Sequence, residues 1–297
     1  MKWIIFFIIV VVLLSFPKFR IFLKKLPRYA VSFPKDVFLF FKHKKYNNAP
    51  IGFICGYVAD GGEVFGSGKT LSAVKRLVGL FDKYDGLAVW SDELNKMVKQ
   101  HVYIFSNITI NCAGAVRIDC LQQYSDFIKD CHGKGDKYIS YLFIDEAGSE
   151  WNSRAFASNF TADFISDIVT CRHNGSAFIW TAQDITLVDK LLRSVTTFVY
   201  GCSHWGRVFF NMKYSAREVE NVTDIRLVKP LAVSGYFASN KIFAKYDTYA
   251  RFERMRRDVE EGKTLSTAQI IEQRESNPAY QYVSFRRKGK HFAKKYH

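Results

Sequence analysis

Acidic residues are in short supply in this 297-residue chain, where 28 Asp and Glu stand against 43 Lys and Arg for a formal net charge of +15. The imbalance points to a polyanionic partner, either nucleic acid or an anionic membrane face. No C-x-x-C pair joins any of the six cysteines, and no histidines stand at i, i+4, so these residues show no spacing typical of metal ligands. Scattered through apolar stretches, Cys55, Cys112, Cys120, Cys131, Cys171 and Cys202 read as reduced, buried thiols of a cytoplasmic compartment. There is no internal repeat and no second long apolar run. A hydrophobic content of 48% against 24% charged excludes disorder as the dominant state, and the length fits one large α/β domain or two small ones.

The amino end is where the single long apolar run lies, Trp3–Pro17 with the sequence WIIFFIIVVVLLSFP. As a helix it spans about 22 Å, short of the ~30 Å hydrocarbon core. It lacks a cleavage site of small residues and a polar side, which predicts an uncleaved membrane helix rather than a signal peptide or a core helix. Lys18, Arg20, Lys24, Lys25 and Arg28 follow the run while Lys2 alone precedes it, so the positive-inside bias predicts a single-pass membrane chain, amino end outside and the bulk cytoplasmic. Between Phe19 and Lys45, apolar and cationic clusters alternate, as expected of a segment on anionic headgroups. Val37–Phe41 can equally be read as part of a core helix or strand.

After Asn47-Asn48-Ala49-Pro50 the composition changes. Strands are predicted at Ile51–Tyr57, Val102–Thr109, Tyr138–Ile144, Ala177–Thr181 and Thr196–Tyr200, and helices at Thr70–Phe81, Phe160–Cys171 and Ile185–Leu192. This alternation predicts an α/β fold with a mostly parallel sheet and helices on both faces. Later signals are weaker: a hairpin around Val208–Tyr214 and a charged helix near Tyr249–Glu261. The organisation is therefore a membrane anchor and basic juxtamembrane segment (1–47), an α/β domain (48–250) and a basic tail (251–297).

The chemistry concentrates in two motifs. Gly66-Ser67-Gly68-Lys69-Thr70 follows a predicted strand and opens a predicted helix, the setting in which backbone N–H groups wrap phosphate oxygens. Gly66 and Gly68 permit the tight turn, Lys69 would reach the β/γ-phosphates of ATP, and the Thr70 hydroxyl would bind Mg²⁺. The full phosphate-loop pattern asks for glycine where Glu63 stands; Gly61 and Gly62 immediately before it suggest a longer approach to the loop. Seventy-six residues beyond Lys69, Tyr141-Leu142-Phe143-Ile144 runs into Asp145-Glu146. Asp145 would hold Mg²⁺ and Glu146 would accept a proton from, or orient, the attacking water. Gln183, at the tip of the next strand, is the candidate γ-phosphate sensor. Arg172 and Arg193 are candidate transition-state cations, acting within one subunit or on a neighbour. His173 is read as a nucleic-acid or subunit contact, or simply as a surface group.

The chain resembles the filamentous-phage assembly ATPases, the zonula occludens toxin-like or Zot family. The likeness rests on ordered short matches over about residues 50–250: Gly66–Thr70, Ile104-Phe105-Ser106-Asn107, Phe143-Ile144-Asp145-Glu146-Ala147, Cys171–Gly175, Thr181-Ala182-Gln183-Asp184 and Tyr246-Asp247-Thr248. It implies a P-loop NTPase of the RecA/FtsK-HerA-like kind that hydrolyses ATP with Mg²⁺ to assemble and extrude a virion. By the family pattern Lys69 and Thr70 bind nucleotide and metal, Asp145 binds the metal and Glu146 is the catalytic carboxylate. Implied partners are phage coat protein, phage DNA, or both, with a homo-oligomer by analogy. Family members commonly place the membrane segment after the ATPase domain, whereas here the candidate precedes it. Two other functions fit the same residues: a DNA-translocating ATPase of a plasmid or mobile element, and a nucleotide-binding membrane scaffold or toxin that does not hydrolyse.

Overall fold

Every residue of Ile54–Ala59, His101–Ser106, Tyr138–Ile144 and Ser176–Thr181 is buried, the mark of strands covered on both faces. The computed structural model describes residues 3, 15–61, 66–131, 133–134, 136–150, 162–222, 224–246, 265–275, 282–287 and 290–295. They fall into two units, Met1–Tyr46 and Asn47–His297.

The described part of the first unit is dominated by the helix α1 (Pro17–Lys42), whose aromatic rings line up along it, Phe22 with Tyr29 at 6.0 Å and Tyr29 with Phe33 at 5.4 Å. None of its residues is buried, so Val37–Phe41 is not core. Among the described residues no helix is long and apolar enough to cross a membrane. That overturns the expected single-pass arrangement with its membrane helix and its outside amino end. The helix that does have the length, α1, follows the expected span and carries Lys18, Arg20, Lys24, Lys25, Arg28, Lys35, Asp36 and Lys42, too many charges for a bilayer core. The apolar run itself, at 4–14, lies outside the described residues.

In the second unit the chain runs β1 (Ile54–Ala59), α2 (Lys69–Tyr84), β2 (Ala88–Ser91), β3 (Lys96–Lys99), β4 (His101–Ser106), β5 (Ala115–Arg117), α3 (Leu121–Asp130) and β6 (Tyr138–Ile144). It continues through α4 (Ala147–Glu150), α5 (Ala162–Val169), β7 (Ser176–Thr181), α6 (Lys190–Val195), β8 (Phe198–Trp205), β9 (Val208–Ser215), α7 (Ala216–Glu220), β10 (Ala232–Phe237), α8 (Asn240–Phe243), α9 (Thr267–Glu275) and the pair β11 (Tyr282–Arg287) and β12 (Lys290–Lys295). Eight strands form one sheet in the order β10-β9-β8-β1-β7-β6-β4-β5. The six from β8 to β5 are parallel, and β9 and β10 extend it antiparallel.

One face of the sheet packs Ala73, Val74, Leu77 and Val78 of α2. The other packs Tyr124 and Phe127 of α3, Phe164 of α5, Leu192 of α6 and Val219 of α7. Trp180, fully buried at the centre, lies against Gly56, where a Cβ would come within 2.3 Å of its ring. Its indole N–H donates to Thr196 Oγ1 at 3.1 Å. All six cysteines are free thiols, five buried and Cys112 half-buried.

Strand and helix signals before residue 200 correspond to elements, with Tyr138–Ile144 at the expected bounds. Ile185–Leu192 is instead a 3₁₀ turn, Ile185–Leu187, followed by α6. The hairpin expected around Val208–Tyr214 is a single strand, β9, paired with β8 on one side and β10 on the other. The helix expected near Tyr249–Glu261 lies outside the described residues. Past residue 250 the chain rejoins the core: Ile270 and Arg274 of α9 are 3% and 4% exposed. Arg274 donates to the carbonyl of Val102 and to Asp85, with its guanidinium 4.1 Å from the centre of the Tyr103 ring. Asp85 also accepts the Val102 N–H at 2.9 Å. Removing one member of a buried ion pair strands the other charge. Arg274→Met is therefore expected to cost about 3–5 kcal/mol in urea unfolding, and adding Asp85→Asn to recover part of that loss.

Candidate functional site

The carboxyl ends of the parallel strands gather the residues that carry chemistry. Gly66 and Gly68 have positive φ of 75° and 84°, and Gly68 is the N-cap of α2. Only glycine adopts that turn without strain, and at Gly68 a Cβ would lie 2.4 Å from the ring of Phe209. Ser67 and Lys69 are buried beneath the turn, with the Lys69 ammonium 3.4 Å from Ser67 Oγ.

Thr70, in the first turn of α2, donates to Asp145 Oδ1 at 2.8 Å. Thr181, the last residue of β7, donates to the same oxygen at 2.6 Å and accepts the Glu146 N–H at 2.9 Å. Asn107, just past β4, clamps the Asp145 backbone by donating to its carbonyl at 3.0 Å and accepting its N–H at 2.9 Å. Thus β4, β6 and β7 together set where the first acid stands. Glu146 follows at φ 52°, a left-handed conformation costly for a residue with a Cβ, which turns the chain off the strand.

Burial is the largest influence on Asp145, lifting it above the ordinary carboxylate range, while the Thr181 and Thr70 hydroxyls and the Lys69 charge pull the other way. Glu146 is also raised, by burial and then by the charge of Asp145, against the attraction of Lys69. The ammonium of Lys69 thus acts on both acids. Two oxygens 2.8 Å apart, a hydroxyl and a carboxylate, suit a small hard cation such as Mg²⁺, which commonly takes one or two protein oxygens and completes its shell with phosphate and water. Among the described residues no group of three or more His, Cys, Asp or Glu gathers into an all-protein metal site.

Other residues singled out in the sequence are placed less closely. Gln183, two residues past β7, lines a cavity of about 390 Å³ with Gly61, Ile185 and Asp224. Arg172 is at the opposite end of the sheet, its Cβ 2.7 Å from where Gly52 would carry one, while Gly52 N–H bonds Ser176 at the start of β7. With β1 six residues long, about 20 Å of strand separates it from the loop. Arg193, in the last turn of α6, is 3.9 Å from Glu220, and nearby Thr197 N–H bonds Ile54 at the amino end of β1. Both arginines are thus placed with neighbours toward the amino ends of the strands, whereas the loop follows the carboxyl end of β1. His173 is exposed at that same amino end. Glu63 lies outside the described residues.

Sequence reasoning missed Asn107 and Thr181 as the supports of Asp145, and Arg226, whose guanidinium packs on Gly61 and is held by Asp224 at 2.7 Å. A polar residue at the tip of each flanking strand was the available signal for the first two.

Because Asp145 is raised when folded, the native state holds that proton more tightly than the unfolded chain does. Its contribution to stability is full below the unfolded pKa and is lost as pH rises through the folded value. Asp145→Asn, which cannot ionise, is expected to melt above the parent at neutral pH, with the gap closing toward acid. Each kcal/mol corresponds to about 2–4 °C in melts of the nucleotide-free protein.

The family model described as zonular occludens toxin (Zot) matches residues 59–275. No curated protein matches the chain. Among solved structures, the N-terminal domain of zonular occludens toxin from Neisseria meningitidis is similar at 17% identity, covering 67% of this chain and 100% of that chain with a TM-score of 0.41. The genome packaging NTPase B204 from Sulfolobus turreted icosahedral virus 2, in complex with ATP-gammaS, is similar at 8% identity over 64% of this chain and 97% of that one, with a TM-score of 0.38. Likenesses that low carry no functional argument. The family match does carry one, because it spans the loop, both acids and α9: the chain belongs to the zonular occludens toxin (Zot) family.

Proposed function

We propose that this protein is an ATP hydrolase that drives assembly and extrusion of a filamentous phage virion. The observation that carries the hydrolase is the 2.8 Å bond from Thr70 to Asp145, which joins the phosphate loop to the acid pair across an intervening strand. The phage role rests on membership of the Zot family.

In this reading the N–H groups from Gly66 to Thr70, at the positive end of α2, receive the β- and γ-phosphate oxygens. Lys69, already buried beside the turn, neutralises charge there. Thr70 and Asp145 would hold Mg²⁺, which supplies charge compensation to the leaving phosphate when bound. Glu146 takes a proton from water as the water oxygen bonds the γ-phosphorus and the bond to the β–γ bridging oxygen breaks. Its raised proton affinity suits the role of base. Gln183 orients that water from the end of β7.

The cargo is coat protein, phage DNA or both. The basic tail sequence, with Arg286, Arg287, Lys290, Lys294 and Lys295, is of a composition that suits DNA phosphates. Since Arg172 and Arg193 stand away from the loop of their own subunit, a transition-state arginine comes from a neighbouring copy, which makes the working unit a homo-oligomer.

Multiple-turnover phosphate release from the full chain with Mg²⁺ is the test. Lys69→Ala and Glu146→Gln are each expected to lower the rate by at least about 100-fold. ATP binding without turnover in the parent protein would mean a non-hydrolysing scaffold. Coat protein and DNA, added separately, distinguish the cargo by which one accelerates hydrolysis; stimulation by DNA alone favours a translocase.

A further inference from the structure

A nucleotide on the loop has two ends, and the sheet order tells them apart. With its γ-phosphate at Thr70 and Asp145, the triphosphate points its terminal end toward β7 and β6, on one side of β1. Its nucleoside end is therefore directed to the other side, where β8 and β9 form a hairpin.

That hairpin is built to meet it. The last pairing of β1 with β8 is Ala59 with Cys202, so Ser203, His204 and Trp205 run on past the end of β1 by about 10 Å, level with the phosphate turn. Cys202 packs on the α2 face of the sheet, and strand alternation returns His204 to that face. There three rings make a cross-strand ladder over β8, β9 and β10. His204 lies 5.1 Å from Phe209 at 28°, and Phe209 lies 5.3 Å from Tyr236 at 15°.

The ladder is fixed to the loop. Phe209 touches Gly68, and the Tyr236 hydroxyl is 3.0 Å from Ser72 Oγ in α2. His204 Nδ1 is 3.2 Å from the Gly206 carbonyl oxygen, which sets the ring plane. The imidazole at the end of the ladder is nevertheless exposed, while the inner ring, Phe209, is buried. A ring held rigid, stacked on one side and open on the other, is a platform for another flat ring.

We propose that His204 stacks on the base of the nucleotide held by Gly66–Thr70, making the β8–β9 hairpin the element that reads the nucleoside. The inference rests on the phosphate-loop function proposed above, and the test keeps the two apart by comparing a ligand with a base and one without. Binding of ATP and of inorganic tripolyphosphate, each with Mg²⁺, is measured by calorimetry on the full-length protein, parent and His204→Ala. The variant is expected to lose about 5- to 150-fold in ATP affinity with tripolyphosphate unchanged, and His204→Trp to restore ATP binding.

Equal losses for both ligands would overturn the proposal, since the hairpin would then merely brace the loop. Unchanged ATP binding in His204→Ala would place the base elsewhere and overturn it too. A parent protein that binds neither ligand removes the phosphate-loop function itself, and the base platform with it.

Discussion

One carboxylate oxygen organises the site. Oδ1 of Asp145 accepts from Thr70 and from Thr181, so the first turn of α2 and the ends of β6 and β7 converge on a single atom. A buried carboxylate without donors is untenable, and even with two hydroxyls and the Lys69 charge the proton affinity of Asp145 stays raised. In the function proposed above, a cation between Thr70 and Asp145 would favour the ionised carboxylate that burial disfavours. The positive φ of Glu146 adds backbone strain at the same place.

Strand order creates the room for this. β1 and β6 are not neighbours; β7 lies between them, and Thr70 after β1 meets Asp145 after β6 across its carboxyl end. Function collects at the carboxyl ends of the strands. The amino ends are closed instead by packing and charge: Arg274 and Asp85 beside β4, and Arg172 against Gly52 beside β1. That division explains why cations that look alike in the sequence have unlike roles.

Legibility followed how local each signal is. Tyr138–Ile144 is a run of seven buried residues, and its bounds could be read because nothing in it alternates. Gly66–Thr70 was readable for a similar reason, since its glycines and its helix start are neighbours in the chain. Asn107 and Thr181 were harder. Each is an ordinary polar residue after an apolar run, and only the register that sets β4 and β7 on either side of β6 makes them partners of Asp145. The membrane helix expected at Trp3–Pro17 finds no support among the described residues, where the long helix α1 is aromatic and rich in apolar residues yet carries cations too often for a bilayer core.

A glycine turn at a helix start and an acidic strand end are legible from adjacent residues alone, because glycine sterics and the order of apolar and acidic side chains are local. Which distant groups meet is a matter of packing. Lys69 and Asp145 are far apart along the chain, as are Gly68 and Phe209, and their meeting depends on strand order and register. Those in turn come from burying two faces of one sheet at once, a many-residue compromise that no short stretch of sequence encodes.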